Sequence, residues 1–291
     1  MHLDCSWPPS GGAVELESPK SRSDAIQKVL NVLSVQLPNS RCLACFDFAF
    51  GYPRGFAASL PDHNGDALWR RVWRYLHREL RDDLNTNFGR LPNNCSNRFE
   101  VANRLNEQMS CPQARGPFWC IDPNWRGRHI PDVVFIPQKL PLDFQTTDGL
   151  RIEPVRITDR AVSSSSPFCL FRNGSVGSQT LTGIPRLQNI RESAELWNQC
   201  QVWPFETGWA PDPLDPWLDD GIRVVLAEIY PSVQPPLPDP ICRDRGQVRA
   251  MWNWARDLDT NGGLQRKFIR PGGLTDEEEQ TVVSDEGWVL H

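Results

Sequence analysis

The alternation of apolar and polar positions marks out the elements of this chain. Ala25, Ile26, Val29, Leu30, Leu33 and Leu37 recur at intervals of three and four, which predicts a helix that Ser21 or Ser23 can cap and Pro38 closes. Cys42 to Phe50 is then a nearly unbroken apolar run, interrupted by Asp47 and ended by Gly51-Tyr52-Pro53. Such a run predicts a strand buried on both faces, as in a parallel sheet. Leu68, Trp69, Val72, Trp73, Leu76, Leu80 and Leu84 draw the clearest helical stripe, and a shorter helix is predicted over Arg98 to Met109 with Phe99, Ala102, Leu105 and Met109 inward.

Between 110 and 186 the strand candidates are short (Val133 to Ile136, Arg151 to Ile157, Phe168 to Phe171) and separated by Pro, Gly and Ser. This stretch reads as an insertion within a single domain over 1–291. A helix is predicted near Arg191 to Gln199, then a short strand Gln201 to Phe205 ending at Glu206. Ile222 to Ile229 is the second strong buried strand, and with Cys42 to Phe50 it is expected at the centre of one sheet. Asp244 can cap the following helix, with Val248, Met251, Trp252, Ala255 and Leu258 inward and Asn261-Gly262-Gly263 as its stop. Thr275 and Glu278 form a capping box. Strands and helices alternating in this way predict an α/β protein.

Composition narrows the class. With 39% hydrophobic residues, 12 Trp and 13 Phe in 291 residues, the chain can bury a large core. No secretory start and no run of about 18 apolar residues is present, so a cytoplasmic protein without a membrane span is expected. Nine Cys, an odd number without framework spacing, suit reduced thiols. Cys42 and Cys45 lie three apart in a strand and so point to opposite faces, which argues against a zinc pair. A formal net charge of −5 gives no global attraction to nucleic acid, and any such contact must be local.

The chemistry-bearing residues sit at strand ends. Asp47 and Glu228 each stand near the carboxyl end of an apolar strand, followed within a few residues by Tyr52-Pro53 and Tyr230-Pro231. An ionised carboxylate there is tolerated only if paired, hydrogen-bonded or metal-bound, and ligands of open parallel sheets bind beyond the carboxyl strand ends. Asp244, opening the next helix, can reach the same edge. Three or four such acids are what Mg²⁺ or Mn²⁺ needs to support phosphodiester cleavage. The structural alternative is that Asp47 caps a turn, Glu228 pairs with an arginine and Asp244 is an ordinary N-cap.

Other polar groups are less specific. Gly174-Ser175-Val176-Gly177-Ser178-Gln179 is a Gly/Ser-rich turn whose amides could cradle a phosphate, or a plain loop without a Walker motif. Arg70, Arg74, Arg78 and Arg81 with His77 form a basic stripe suited to a phosphate backbone, or simply a solvated face interleaved with Glu79 and Asp82. Arg98 and Glu100 are pocket candidates or partners of one another. The five His lie in no metal or catalytic spacing.

Taken together, Phe46-Asp47-Phe48-Ala49-Phe50-Gly51-Tyr52-Pro53-Arg54-Gly55-Phe56-Ala57, Asn97-Arg98-Phe99-Glu100-Val101-Ala102, Gly174 to Gln179, Trp203-Pro204-Phe205-Glu206-Thr207-Gly208 and Ala227-Glu228-Ile229-Tyr230-Pro231-Ser232 resemble a bacterial family of predicted RNase H-like nucleases. The likeness runs from about residue 41 to the C-terminus. It implies a mixed RNase H-like sheet flanked by helices, with a fourth-strand acid matching Asp47, a fifth-strand acid matching Glu228 and a helix acid matching Asp244. It also implies substrate-side roles for Arg98, Glu206 and the Gly174 to Gln179 loop. The chain departs from the pattern at its start, where only about twenty residues precede the first helix. Asp4 on a shortened strand is the candidate first-strand acid, and Val14 to Leu16 the remnant of another strand. Some relatives carry labels from cobalamin or molybdopterin synthesis, which no residue here supports.

Two functions are therefore expected. One is a nuclease or phosphodiesterase dependent on Mg²⁺ or Mn²⁺, with Asp47, Glu228 and Asp244 as ligands, Asp4 as a fourth, and nucleic acid as partner. The other is a non-catalytic protein of the same fold that binds a nucleotide or cofactor.

Overall fold

The computed structural model describes residues 5–7, 15–36, 41–61, 65–82, 96–111, 114–122, 135–212 and 217–291. In chain order these form β1 (Cys5–Trp7), β2 (Glu15–Glu17), α1 (Arg22–Gln36), β3 (Cys42–Phe46), α2 (Leu68–Glu79), α3 (Arg98–Met109), α4 (Ile157–Val162), α5 (Gly177–Arg191), β4 (Cys200–Val202), β5 (Val224–Ile229), α6 (Arg243–Thr260), α7 (Asp276–Thr281) and β6 (Val289–Leu290). The protein is α/β, as its alternating elements predict. No helix among the described residues is long and apolar enough to cross a membrane.

The main sheet is small and parallel, with β5 in its middle. β3 pairs with one side of β5, from Cys42 opposite Val224 to Phe46 opposite Glu228, while β4 and then β6 share the other side. Strand alternation sends Cys42, Ala44, Phe46, Val224 and Leu226 to one face, against a core built by α1, α2, α3 and α5. Leu43, Cys45, Val225, Ala227 and Ile229 face a second, Trp-rich core with Trp203, Phe268, Trp288 and Trp254 of α6. Cys42 and Cys45 thus point to opposite faces, as expected.

The expectation that both apolar strands are central holds for β5, which is buried along nearly its whole length, but not for β3. That strand is half-buried throughout and has β5 as its single strand partner among the described residues. β1 and β2 form an antiparallel pair, Cys5 opposite Glu17, in a sheet of their own. Asp4 lies outside the described residues.

Helix signals fared better than strand ends. α1, α2 and α3 follow their apolar stripes, with Trp69, Val72, Trp73 and Leu76 buried. Ser21 Oγ accepts the Asp24 amide at 3.0 Å, Thr275 and Glu278 close their reciprocal box, and Gly262 takes a positive φ of 67° just past α6. β3 is shorter than its apolar run because Phe48 and Phe50 continue inward as a loop rather than a ladder, and β5 begins at Val224, two positions into its run. β4 likewise stops at Val202, where Trp203-Pro204 turns the chain.

Two expectations are corrected. No strand forms at Arg151 to Ile157 or Phe168 to Phe171. The first stretch contributes an isolated bridge between Gln145 and Arg151 and then opens α4 at Ile157, and the second contributes one between Trp119 and Cys169. Val133 lies outside the described residues. The helix placed at Arg191 to Gln199 is instead α5, which ends at Arg191. Gly177, Gly183 and Pro185 lower its intrinsic propensity and hid it. Packing overrides them, since Leu181, Ile184, Leu187 and Ile190 are all fully buried. Gly183 is needed because a Cβ there would come within 2.5 Å of the Phe48 ring.

Leu76, fully buried on α2, tests this core. Leu76→Asp places an unpaired charge in it and is expected to cost about 3–5 kcal/mol in chemical denaturation. An unchanged denaturation midpoint would refute the packing of α2.

Candidate functional site

Because β3 and β5 are parallel, their carboxyl ends open on one edge, near which α6 begins. Glu228 lies level with Phe46, and Asp47 follows one position later. Alternation along β3 therefore directs Asp47 away from the face that Glu228 shares with Phe46 and toward the side that α6 covers. Asp244 is exposed in the first turn of α6, where Cys242 and not Asp244 occupies the N-cap position. The edge brings the three sequence-chosen acids within electrostatic reach of one another without stacking them on one face.

Glu228 is only 3% exposed, and its carboxylate is fully engaged. The Arg156 guanidinium donates to its two oxygens at 2.6 and 2.7 Å, and the Phe50 amide adds a third bond at 3.0 Å. Arg156, itself buried, also reaches both oxygens of Asp159, at 2.8 and 3.1 Å, and the Glu286 carbonyl at 3.1 Å. Burial pushes the Glu228 carboxyl above its ordinary range, and Arg156 pulls against that shift. The arginine pairing weighed from the sequence is thus what Glu228 makes.

A second pair of acids clamps the loop after β3. A single π-turn, Val282–Glu286, carries the adjacent Asp285 and Glu286 into the interior. Glu286 accepts the Arg54 amide at 2.7 Å and the Ile157 amide at 2.6 Å. Asp285 is 2% exposed and its Oδ1 has no partner among the described residues. Burial, then repulsion from Glu286, raises its carboxyl well above the usual range. Gly51 fits beneath this turn because a Cβ would lie 2.3 Å from the Asp285 carbonyl. Sequence reasoning missed Arg156, Asp159, Asp285 and Glu286. The signal was present for the last two, which interrupt an apolar stretch as Asp47 does.

Asp47 differs from the buried acids. The residue is exposed, and its carboxyl accepts no hydrogen bond among the described residues. Its inner side loses hydration against the strand ends, and repulsion from Glu228 and Asp244 adds to that loss. Together they push it up to about 7. A carboxyl shifted this far on an otherwise exposed residue marks a functional candidate.

The remaining candidates go elsewhere. Glu206 pairs with Arg70 at 2.6 Å and Arg191 at 2.8 Å and accepts the Val202 amide. Arg98 is buried, donates to Ser96 and lies over Phe99 at 4.5 Å. In the Gly174 to Gln179 loop, the Ser175 amide donates to Arg172, the Gly177 amide to Cys169 and the Ser178 hydroxyl to Leu170, so those donors serve the turn itself. The basic stripe is neutralised locally, Arg74 by Asp66 and Arg78 by Glu79, and His77 meets Asn189. Among the described residues no three His, Cys, Asp or Glu side chains are grouped to hold a metal ion.

No protein-family model, curated protein or solved structure matches the chain.

Two outcomes follow. A carboxyl whose folded pKa is about 7, against an ordinary 3.8, binds its proton more tightly folded than unfolded, so its contribution to stability falls as pH rises from about 4 through 7. Asp47→Asn should remove that decline, so that melting curves of variant and wild type diverge across this window; a pH-independent difference would show that the charge is not its source. Arg156→Met leaves Glu228 and Asp159 without their cation and should cost about 3–5 kcal/mol at pH 8. The loss should shrink at pH 5, where the orphaned carboxyls take up protons, and an equal loss at both would refute the network.

Proposed function

We propose that this chain is a phosphoester hydrolase of the RNase H-like type, acting on nucleic acid or a nucleotide with Mg²⁺ or Mn²⁺ at the carboxyl edge of β3 and β5. The observation that carries this reading is the placement of Asp47 at the β3 and β5 edge in the field of Glu228 and Asp244, where burial and then repulsion from those two acids raise a carboxyl that no described cation neutralises. Asp47 and Asp244 are hard oxygen donors, and Mg²⁺ commonly takes one or two carboxylates and fills its shell with water and substrate phosphate. These two residues would hold the ion, which would supply charge neutralisation to a phosphate that the acidic edge otherwise repels. Glu228, held by Arg156, adds negative field rather than a ligand. The clamp of Glu228 on Phe50 and Glu286 on Arg54 fixes the loop that carries Asp47.

A second reading, binding of a nucleotide or cofactor without catalysis, is favoured by the same Arg156–Glu228 pair, which leaves two accessible acids where ion-dependent cleavage commonly uses three or four. Calorimetric titration of Mn²⁺ into wild type, Asp47→Asn and Asp244→Asn, with assays on single-stranded, duplex and hybrid nucleic acids, separates the two. Hydrolysis predicts Mn²⁺ binding weakened at least about tenfold in each variant, as expected for loss of one of two carboxylate ligands, and cleavage abolished with the fold intact. Mn²⁺ binding without cleavage of any substrate selects the binding reading, and no Mn²⁺ binding removes the ion from the site.

A further inference from the structure

A cleft of about 420 Å³ has none of Asp47, Glu228 or Asp244 in its wall. Its lining combines apolar surface from Trp119, Leu140 and Val155 with the cations of Lys139 and Arg172, and it includes no carboxylate. Both cations are exposed, and neither is ion-paired among the described residues. Other cations of the chain, among them Arg70, Arg74, Arg156 and Arg191, meet carboxylates instead. The Arg172 guanidinium lies 5.3 Å from the centre of the Trp119 ring, an arrangement that fixes the charge at the cleft wall.

The Trp119 side chain supplies an independent signal. The residue is 7% exposed, and its indole N–H is buried with no acceptor among the described residues. Buried donors without partners are uncommon, and this one belongs to a residue that lines the cleft. The wall is also preorganised. Trp119 is bracketed by backbone bonds to Phe168 and Leu170 at 3.0 Å each, the Cys120 amide donates to Pro137 at 2.8 Å, and Gln138 Nε2 donates to the Ile121 carbonyl at 3.2 Å. Ser166, on the same wall, is tied to Pro154 at 2.7 Å. A cleft of this volume with apolar walls and a few convergent donors has the character of a small-molecule site.

We infer that the Trp119–Arg172–Lys139 cleft binds a small organic anion, one phosphate or carboxylate group on an apolar, ring-sized body. The two cations present donors to the anionic group, while Leu140, Val155 and the Trp119 ring cover the body. The cleft does not depend on the acidic edge or on a divalent ion, so the proposal stands apart from the hydrolase reading.

The test is calorimetry on the full chain at low ionic strength with a chelator present, which silences any ion-dependent binding at Asp47. The titrants are adenosine 5′-monophosphate, phenylacetate, adenosine and inorganic phosphate. Adenosine 5′-monophosphate or phenylacetate should bind at one site, and the tighter of the two distinguishes a phosphate from a carboxylate ligand. Adenosine and inorganic phosphate, each lacking half of the recognised chemistry, should bind at least about tenfold more weakly, as expected for loss of a charge-assisted contact or of the buried body. Arg172→Gln and Lys139→Gln should each weaken binding about tenfold with an unchanged melting temperature. Should Arg172→Gln fail to fold, Lys139→Gln, on an exposed side chain, carries the same test. The proposal is overturned if no titrant binds, or if binding is indifferent to both cation variants.

Discussion

Arg156 is the cation around which the interior of this protein is arranged. It is buried, and its guanidinium reaches Asp159 on α4, Glu228 on β5 and the Glu286 carbonyl on the π-turn, which lie 3, 72 and 130 positions away in sequence. A buried ion network of this kind contributes little net stability over an apolar replacement, because desolvation of each charge offsets most of the attraction. Its effect is on arrangement. Once Glu228 points inward from β5, only a register that brings Arg156 to it avoids a stranded charge, and that requirement fixes where α4 and the C-terminal segment sit against the sheet.

The loop after β3 depends on the same network. Its amides at Phe50 and Arg54 are taken by Glu228 and Glu286, its Gly51 lies under the π-turn, and its Phe50 carbonyl accepts the Trp73 indole at 2.7 Å. Phe48, Phe50, Tyr52 and Phe56 all enter the core from this one loop, with Tyr52 and Phe56 only 4.5 Å apart. The carboxyl edge of β3 and β5 therefore rests on this support, and Asp47 is the acid there that has no hydrogen-bond partner among the described residues. Four acids share the neighbourhood of one buried cation, so burial raises Glu228, Asp285 and Glu286 together.

The chain also separates its charges in space. Acids gather at the carboxyl ends of β3 and β5, whereas the cleft beside Trp119 holds two cations and no acid. A divalent ion suits the first environment and an organic anion the second, because each offers the complement of its own field. One face need not serve both.

Much of this was legible in the sequence. The stripes of α1, α2 and α3, the apolar runs of β3 and β5, the capping box at Thr275 and the opposed faces of Cys42 and Cys45 follow from local periodicity and local hydrogen bonding, which need no distant partner. The choice of Asp47, Glu228 and Asp244 as neighbours followed from the rule that parallel strands open on one edge. What the sequence did not determine is what each acid does there. Glu228 and Asp47 carry the same signature, a carboxylate near the end of an apolar run, yet one meets Arg156 and the other meets water, and only the register of β3 against β5 decides which. α5 was hidden for a related reason, since Gly177, Gly183 and Pro185 oppose a helix locally and the packing of Phe48 against Gly183 favours one. Partnership across long sequence separations, of a charge with its counter-charge or a glycine with a ring, is a property of tertiary structure, because its energy exists only once both partners are in place.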